Sequence, residues 1–318
     1  MKRGARALRA AAMMVGVVVA GAVLGVGARS AQAFVRTKAS SGKPLYWSSG
    51  CVHVVAAAEG SPDVPEDLET PVIPKVLANW TAAIAGCGYM KLIYDPKPVA
   101  NHEVGYDGTN IVKFRQDKWC RPKTEDAPEK CYPAAAVGIT TVFYVDKADA
   151  KDDGRLLDAD IELNGVNFRF AVEGQTTDQT PNQIIADVEN TLTHEVGHLL
   201  GLDHTCNDDP QNPTFDGAGN RVPTCGTVAV TQTMQDATMF AFQEDGELKK
   251  SSLEPDDVAG ACDAYPIAKD PKQCKRVDVG GDGCGVISGG RGGAGSGGAL
   301  VVGLGLILGL FWRRRRRG

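Results

Sequence analysis

The sequence predicts one α+β domain with a mixed, twisted sheet, a long buried helix and a C-terminal helix. Residues 139–145 form a β-branched and aromatic run typical of a strand, whereas residues 74–85 and 184–200 repeat apolar residues at helical spacing. The 318 residues are 43% hydrophobic and 23% charged, as in ordinary globular proteins. Disordered, collagen-like and polytopic membrane proteins are therefore excluded.

The first 33 residues have the organisation of a secretory signal peptide. Residues 2–9 are basic, residues 10–26 are apolar, and Ala31-Gln32-Ala33 is a small-residue cleavage site before Phe34. An uncleaved anchor helix is the alternative. Export would permit disulfide bonds, and the chain has nine cysteines without a Cys-x-x-Cys pair.

Residues 34–283 are expected to form the domain, and its elements are predicted in chain order. The first helix, at residues 74–85, ends at Gly86. Residues 180–183 (TPNQ) read as a capping box for a helix that ends at Gly201. A last helix runs from Pro255 to about Tyr265. The predicted strands are residues 45–55, 90–94, 110–114 and 139–145, and a hairpin of residues 159–163 and 166–172 around Asn164-Gly165, with a loop at residues 117–133.

The last 35 residues form a second targeting segment. Cys284 is followed by a Gly/Ser run at residues 288–298, an apolar stretch at residues 299–312 and five arginines. As a helix the apolar stretch would be about 21 Å long, shorter than a hydrocarbon core of about 30 Å. This order resembles the C-terminal sorting tail of myxobacterial surface proteins, which implies processing near the cysteine or insertion in the membrane. A simple tail anchor is the alternative, and in both cases the domain is extracellular or at the cell surface.

The central region is strongly acidic. The chain has 34 Lys and Arg and 39 Asp and Glu, so its formal net charge is −5. Five positive charges precede residue 34 and six follow residue 290, with no acid among them, which leaves residues 34–290 at −16. A surface of this sign repels phosphate, so nucleic acid is excluded as a partner.

The candidate catalytic residues lie in one segment, HEVGHLLGLDH. His194 and His198 are four residues apart, so on a helix they lie about 6 Å apart on one face and can ligate one zinc ion. Glu195 can accept a proton from water and pass it to a leaving amine. Gly201 can end the helix in the left-handed conformation, and His204 then supplies the third ligand. Three neutral nitrogens leave one position of the metal open for water.

This HExxHxxGxxH pattern resembles the metzincin zinc metalloproteases, which also have a downstream methionine turn. Residues 236–240 (DATMF) resemble that turn and imply Met239 under one catalytic zinc ion, with Met234 as the alternative. The segments at residues 156–164 and 253–266 resemble the matrixin family within the metzincins. In the second segment the matching residues are Leu253, Asp256, Asp257, Gly260 and Tyr265. The resemblance covers about residues 135–266 and implies a metzincin-like fold.

Two departures from matrixins matter. Residues 240–242 (FAF) stand where matrixins have Pro-x-Tyr, which leaves the wall of the substrate pocket undefined. No cysteine-switch propeptide motif is present in the sequence. The resemblance would also allow a structural Ca²⁺ ion, but solvated acids explain the acidic residues equally well. Those residues are Asp152, Asp153, Asp158 and Asp160.

Setting Cys284 aside leaves eight cysteines, which we expect to form four disulfides. Sequence alone allows about 105 connectivities. Nearest-neighbour pairing gives Cys51–Cys87, Cys120–Cys131, Cys206–Cys225 and Cys262–Cys274.

These observations predict a secreted or surface-anchored, monomeric zinc metalloendopeptidase that cleaves proteins or peptides. An extended substrate would pair with an edge strand of the sheet. The first alternative is a catalytically weak or inactive metzincin-fold surface binding or adhesion protein, which would not need Glu195. The second is a zinc hydrolase that acts on another bond, such as a cell-wall link.

Overall fold

The computed structural model describes residues 33–123, 128–175 and 184–277, together with the backbone of residues 298–299 and 302–308. The predicted signal peptide (apart from Ala33), the capping box at residues 180–183, Cys284 and the arginine cluster lie outside the described residues.

The described part of the chain contains five α-helices and fourteen strands, and eight of the strands follow one another between α2 and α3. The helices are α1 (Glu66–Glu69), α2 (Val72–Ile84), α3 (Val188–Leu199), α4 (Gln232–Asp236) and α5 (Pro255–Ala264). The strands are β1 (Val35–Arg36), β2 (Cys51–Ala57), β3 (Lys91–Val99), β4 (Ile111–Arg115), β5 (Cys120–Arg121), β6 (Lys130–Cys131), β7 (Ala136–Asp146), β8 (Leu156–Asn164), β9 (Arg169–Ala171), β10 (Ile185–Asp187), β11 (Leu202–Asp203), β12 (Phe242–Gln243), β13 (Gly298–Ala299) and β14 (Val302–Leu308).

The main sheet is mixed. Within the described residues its order is β12-β14-β7-β8-β4-β2-β3, and β13 also pairs with β7. β8 runs parallel to β4 and antiparallel to β7. β2 is parallel to both β3 and β4. β7 therefore lies next to the four parallel strands (β3, β2, β4 and β8) and between them and β14.

The helices α2 and α3 pack on each other and against this sheet. The apolar positions of α2 are buried at helical spacing, as the sequence predicts, and Trp80 is fully buried. All twelve residues of α3 are buried. Because α3 is surrounded on every side, its polar side chains require partners inside the protein.

The helix that carries the histidine motif begins later than the sequence predicts. Ile185–Asp187 is a strand parallel to β9, and Asp187 caps α3 by accepting a hydrogen bond from Asn190 N (2.9 Å). The prediction of helix at residues 184–187 is therefore wrong, because pairing with β9 and the Asp187 cap determine where α3 starts.

The predicted hairpin around Asn164-Gly165 is also wrong. Both edges of β8 are already paired, one with β7 and the other with β4, so β9 pairs with β10 instead. In the predicted loop at residues 117–133, β5 and β6 form a short antiparallel pair. The predicted first strand starts only at Cys51, whereas Leu45 and Trp47 before it are buried in irregular chain.

Four disulfides link the described cysteines. Cys120–Cys131 and Cys206–Cys225 follow the nearest-neighbour prediction. The other two predicted pairs are wrong, since Cys51 bonds to Cys274 and Cys87 bonds to Cys262. The fold brings the end of α2 beside α5 and the start of β2 beside residues 273–275. Sequence distance therefore does not predict these two pairs.

The apolar tail stretch differs from the helix that the sequence favours. Its described part is extended, as β13 and β14. Gly303 and Gly305 disfavour a helix, and the side of β7 offers backbone groups that an extended segment can satisfy. Among the residues that the structure describes, none of the helices combines the length and apolar composition needed to cross a membrane.

Candidate metal centre

Three histidine side chains converge in the interior beside the main sheet. His194 and His198 project from α3, and His204 follows β11. The Nε2 atom of His194 lies 3.1 Å from that of His198 and 3.2 Å from that of His204, and the latter two Nε2 atoms are 3.2 Å apart. His194 and His198 are fully buried, and His204 is 3% exposed.

This triangle fits a first-row metal ion. Four ligand atoms about 2.05 Å from a tetrahedral Zn²⁺ ion are about 3.3 Å apart, close to the separations of these nitrogens. Lone pairs that face one another repel each other, and a cation between them would remove that repulsion. The donor set of three imidazoles is one that zinc accepts, with a fourth position left for water.

The Nδ1 atoms of the three rings have partners of their own. His194 Nδ1 donates to Thr238 O (2.6 Å) and His198 Nδ1 donates to Leu202 O (2.9 Å). A carbonyl oxygen only accepts, so the proton of both neutral rings is on Nδ1 and the lone pair on Nε2 faces the centre. His204 Nδ1 lies 3.3 Å from Asp208 Oδ2. The third ring is thus oriented by a carboxylate.

Burial favours the neutral form of the two helical ligands. It lowers the pKa of His194 well below its ordinary value and lowers the pKa of His198 to about 3. For His204, burial acts in the same direction, but the carboxylate of Asp208 beside Nδ1 outweighs it and raises the pKa. The same contact lowers the pKa of Asp208 against the effect of its burial. Two rings are therefore neutral near pH 7, as a metal ligand must be.

The turn between His198 and His204 depends on Gly201. Its φ is +83°, in the left-handed region, and a Cβ there would lie 3.0 Å from Leu45 O. The carbonyls at the end of α3 accept hydrogen bonds from buried aromatic side chains, from Trp47 Nε1 to Leu199 O (2.8 Å) and from Tyr265 OH to Leu200 O (2.9 Å). Asp203 Oδ1 accepts from His204 N (2.8 Å), which holds the returning chain.

Glu195 lies between the histidines and the main sheet. Its side chain is fully buried, and the single hydroxyl proton of Thr140 in β7 is shared between Glu195 Oε2 (2.7 Å) and the more distant Glu195 O (3.0 Å). A Cβ at Gly138 would lie only 2.7 Å from Glu195 Oε1. The strand thus orients the carboxylate through one hydroxyl group and leaves room for it through one glycine.

Met239 lies beneath α3. A Cβ at Gly197, between the two helical histidines, would overlap Met239 Sδ. Asp257 of α5 holds the methionine turn by accepting hydrogen bonds from Thr238 N (2.9 Å) and Met239 N (3.1 Å). The alternative residue, Met234, belongs to α4 and packs in a separate cluster. The structure therefore places Met239, rather than Met234, under the histidine motif.

The acidic residues considered for calcium do not converge on one point. Asp158 accepts hydrogen bonds from the backbone N–H groups of Asp107, Gly108 and Ala159, and Asp160 accepts from those of Gly105 and Ile111. Asp152 pairs with Arg155, and Asp153 accepts from Ser41 Oγ. Protein donors therefore already engage these carboxylates.

Three clusters of possible metal ligands occur in the described part of the chain. Two of them contain disulfide-bonded cysteines, around Cys51 and around Cys120, and the third consists of the three histidines. The disulfide sulfurs of the first two clusters are not available as thiolates. The histidine cluster is therefore the candidate metal centre.

The sequence predicts the three candidate ligands but not the residues that support them. Gly138 and Thr140 lie in β7, far along the chain from the motif, and only a glycine inside a strand hinted at a close approach. Gly197 stands at a position of the motif where the pattern does not specify a residue type.

Compared with known proteins, the chain matches no protein-family model and no curated protein.

Proposed function

We propose that this protein is a zinc-dependent metalloendopeptidase of the metzincin type, closest to the matrixins. The observation that carries the proposal is the convergence of three Nε2 atoms within 3.2 Å of one another, beside the buried carboxylate of Glu195. Residue types, tautomers and spacing all suit one zinc ion held by His194, His198 and His204. Export and anchoring at the cell surface remain part of the same proposal.

The residues of the chain would share the reaction as follows. His194, His198 and His204 would hold the zinc ion, which would supply Lewis acidity to polarise the scissile carbonyl and to lower the pKa of water to about 7. Glu195 accepts a proton as water attacks the carbonyl carbon, and it returns that proton to the amine nitrogen when the C–N bond breaks. Thr140 keeps the carboxylate of Glu195 in place through its 2.7 Å hydrogen bond.

The test compares Glu195→Gln with Glu189→Gln, a matched change on the same helix. Glu189 pairs with Lys75 (2.7 Å), so its loss should not affect the chemistry. We expect Glu195→Gln to keep one zinc ion per chain and to lose about 10²–10⁴-fold in kcat/KM on denatured casein. Glu189→Gln should keep both zinc and activity.

The alternatives give different results. A surface binding protein would hold zinc and cleave nothing, in the full chain and in a chain that ends at Gly297. A hydrolase of another bond would also leave casein intact, but would lose its own activity in Glu195→Gln. A folded chain without zinc would refute the assignment of the three histidines.

A further inference from the structure

One edge of β7 pairs with β8, and the other edge pairs with β14, which belongs to the protein's own C-terminal segment. The pairing is antiparallel and places Leu304 opposite Thr140 and Leu306 opposite Gly138. Both of these β7 residues contact Glu195. The backbone of residues 304–306 therefore runs alongside the part of β7 that contacts the candidate catalytic carboxylate.

The opposite edge of β14 is paired as well. Ile307 lies opposite Phe242 and Leu308 opposite Gln243, in the parallel arrangement with β12. β12 follows the methionine turn, and β14 also contacts α3, which carries the histidines. In the described sheet β14 thus lies between β7 and β12 as an inserted strand. An extended peptide substrate would require the same position.

The sequence of the segment suits recognition through the main chain. Residues 302–308 read VGLGLIL, with no proline and no charge, so every residue retains a backbone N–H that can pair with a neighbouring strand. Twenty residues separate Val277 from β13, and they are rich in glycine. Flexible glycine-rich linkers of about twenty residues span about 25 Å on average, and tethering through such a linker gives an effective concentration of about 1 mM.

We infer that residues 302–308 occupy the substrate cleft as an intramolecular competitor and keep the enzyme latent while the tail is attached to the domain and free of the membrane. The inference rests on the proposed function. At equal intrinsic affinity, a segment at about 1 mM excludes a peptide at about 10 µM by about a hundredfold. Removal of the tail, or its insertion in a bilayer, empties the cleft. Activity is thereby coupled to the processing of the tail.

The test compares the zinc-loaded full chain with a chain that ends at Gly297 and with the full-length variant Gly305→Pro. Proline removes one N–H and fixes φ, which breaks the pairing with β7. Gly293→Pro, which lies before β13 in the sequence, is the matched control. We expect truncation and Gly305→Pro to raise kcat/KM for a fluorogenic peptide at least about tenfold. Gly293→Pro should behave as the full chain does, and a synthetic peptide of residues 300–310 should inhibit the truncated chain competitively.

A second measurement does not depend on activity. Hydrogen exchange at the amides of residues 138–142 is compared in the full and truncated chains, both carrying Glu195→Gln. We expect at least about tenfold faster exchange in the truncated chain, because the backbone N–H groups of β7 that pair with β14 lose their acceptors. Equal exchange and equal kcat/KM in the two chains would overturn the inference. Faster exchange without cleavage by either chain would uphold the docked segment and instead refute the proposed protease function.

Discussion

Gly138 offers a direct test of how β7 positions Glu195. In Gly138→Ala the added Cβ would lie 2.7 Å from Glu195 Oε1 and 3.0 Å from both Cγ and Cδ. All three nearest atoms belong to Glu195, so the substitution acts on that side chain. The hydrogen bond from Thr140 Oγ1 to Oε2 opposes any movement of the carboxylate away from the strand.

The expected loss follows from these distances. Ordinary contact between such atoms begins at about 3.4 Å, so the side chain of Glu195 must move by about 0.4–0.7 Å. A displacement of about 1 Å in a catalytic group costs about 10²-fold in rate. We therefore expect kcat/KM to fall about tenfold in Gly138→Ala, with one zinc ion per chain retained.

The assay is cleavage of a fluorogenic peptide by the chain ending at Gly297, in which residues 302–308 cannot affect the result. Gly86→Ala is the matched control, because a Cβ at Gly86 meets no atom within 4 Å. In a Glu195→Asp background, whose side chain is shorter, Gly138→Ala should have little further effect. Full activity of Gly138→Ala with zinc bound would refute the contact between strand and carboxylate.

Three further predictions concern the support of the site and the stability of the fold. Gly197→Ala should destabilise the protein by about 1–3 kcal/mol in urea unfolding, because its Cβ overlaps the side chain of Met239; an unchanged or raised midpoint would contradict this packing. Asp257→Asn loses a charged acceptor for backbone N–H groups of the methionine turn and should cost about 1–3 kcal/mol; a cost below about 0.5 kcal/mol would show that the turn is held elsewhere. Burial raises the pKa of Asp158 to about 6 and also raises that of its neighbour Asp160. The folded state therefore binds more protons than the unfolded state, and the free energy of unfolding falls as pH rises through about 6. Between about pH 4 and about pH 7 the wild-type protein should lose stability relative to Asp158→Asn. A constant difference between the two proteins across that range would refute the shifted pKa.

The elements that the sequence predicted best are those determined by local periodicity. The buried stripe of α2 and the boundaries of α5 follow from the spacing of apolar residues and from Pro255 at the first turn. Pairing between strands was predicted less well. Asn164-Gly165 is a common hairpin sequence, yet the two edges of β8, the strand before it, pair with β4 and β7. No edge of β8 is left for the segment that follows Gly165. Which strand pairs with which depends on the whole sheet rather than on one turn.

The candidate metal ligands could be recognised from the sequence alone because their geometry is local. A four-residue spacing on a helix puts His194 and His198 on one face, and Gly201 with φ +83° returns the chain to His204. The contacts that β7 makes with the glutamate of the motif are not local. They consist of the room left by Gly138 and the hydroxyl group of Thr140, which lies 55 residues before that glutamate in the chain, and only the tertiary structure brings them to the site.

The sequence by itself therefore determined the histidine triad, its glutamate and the two helices that carry the strongest periodicity, because residues a few positions apart are related by the helix alone. The tertiary structure decided the Cys51–Cys274 and Cys87–Cys262 disulfides, the partners of the histidine Nδ1 atoms and the position of β14 beside β7. Each of these joins segments that are distant in sequence. Their proximity results from how the whole chain packs, and no local pattern encodes it.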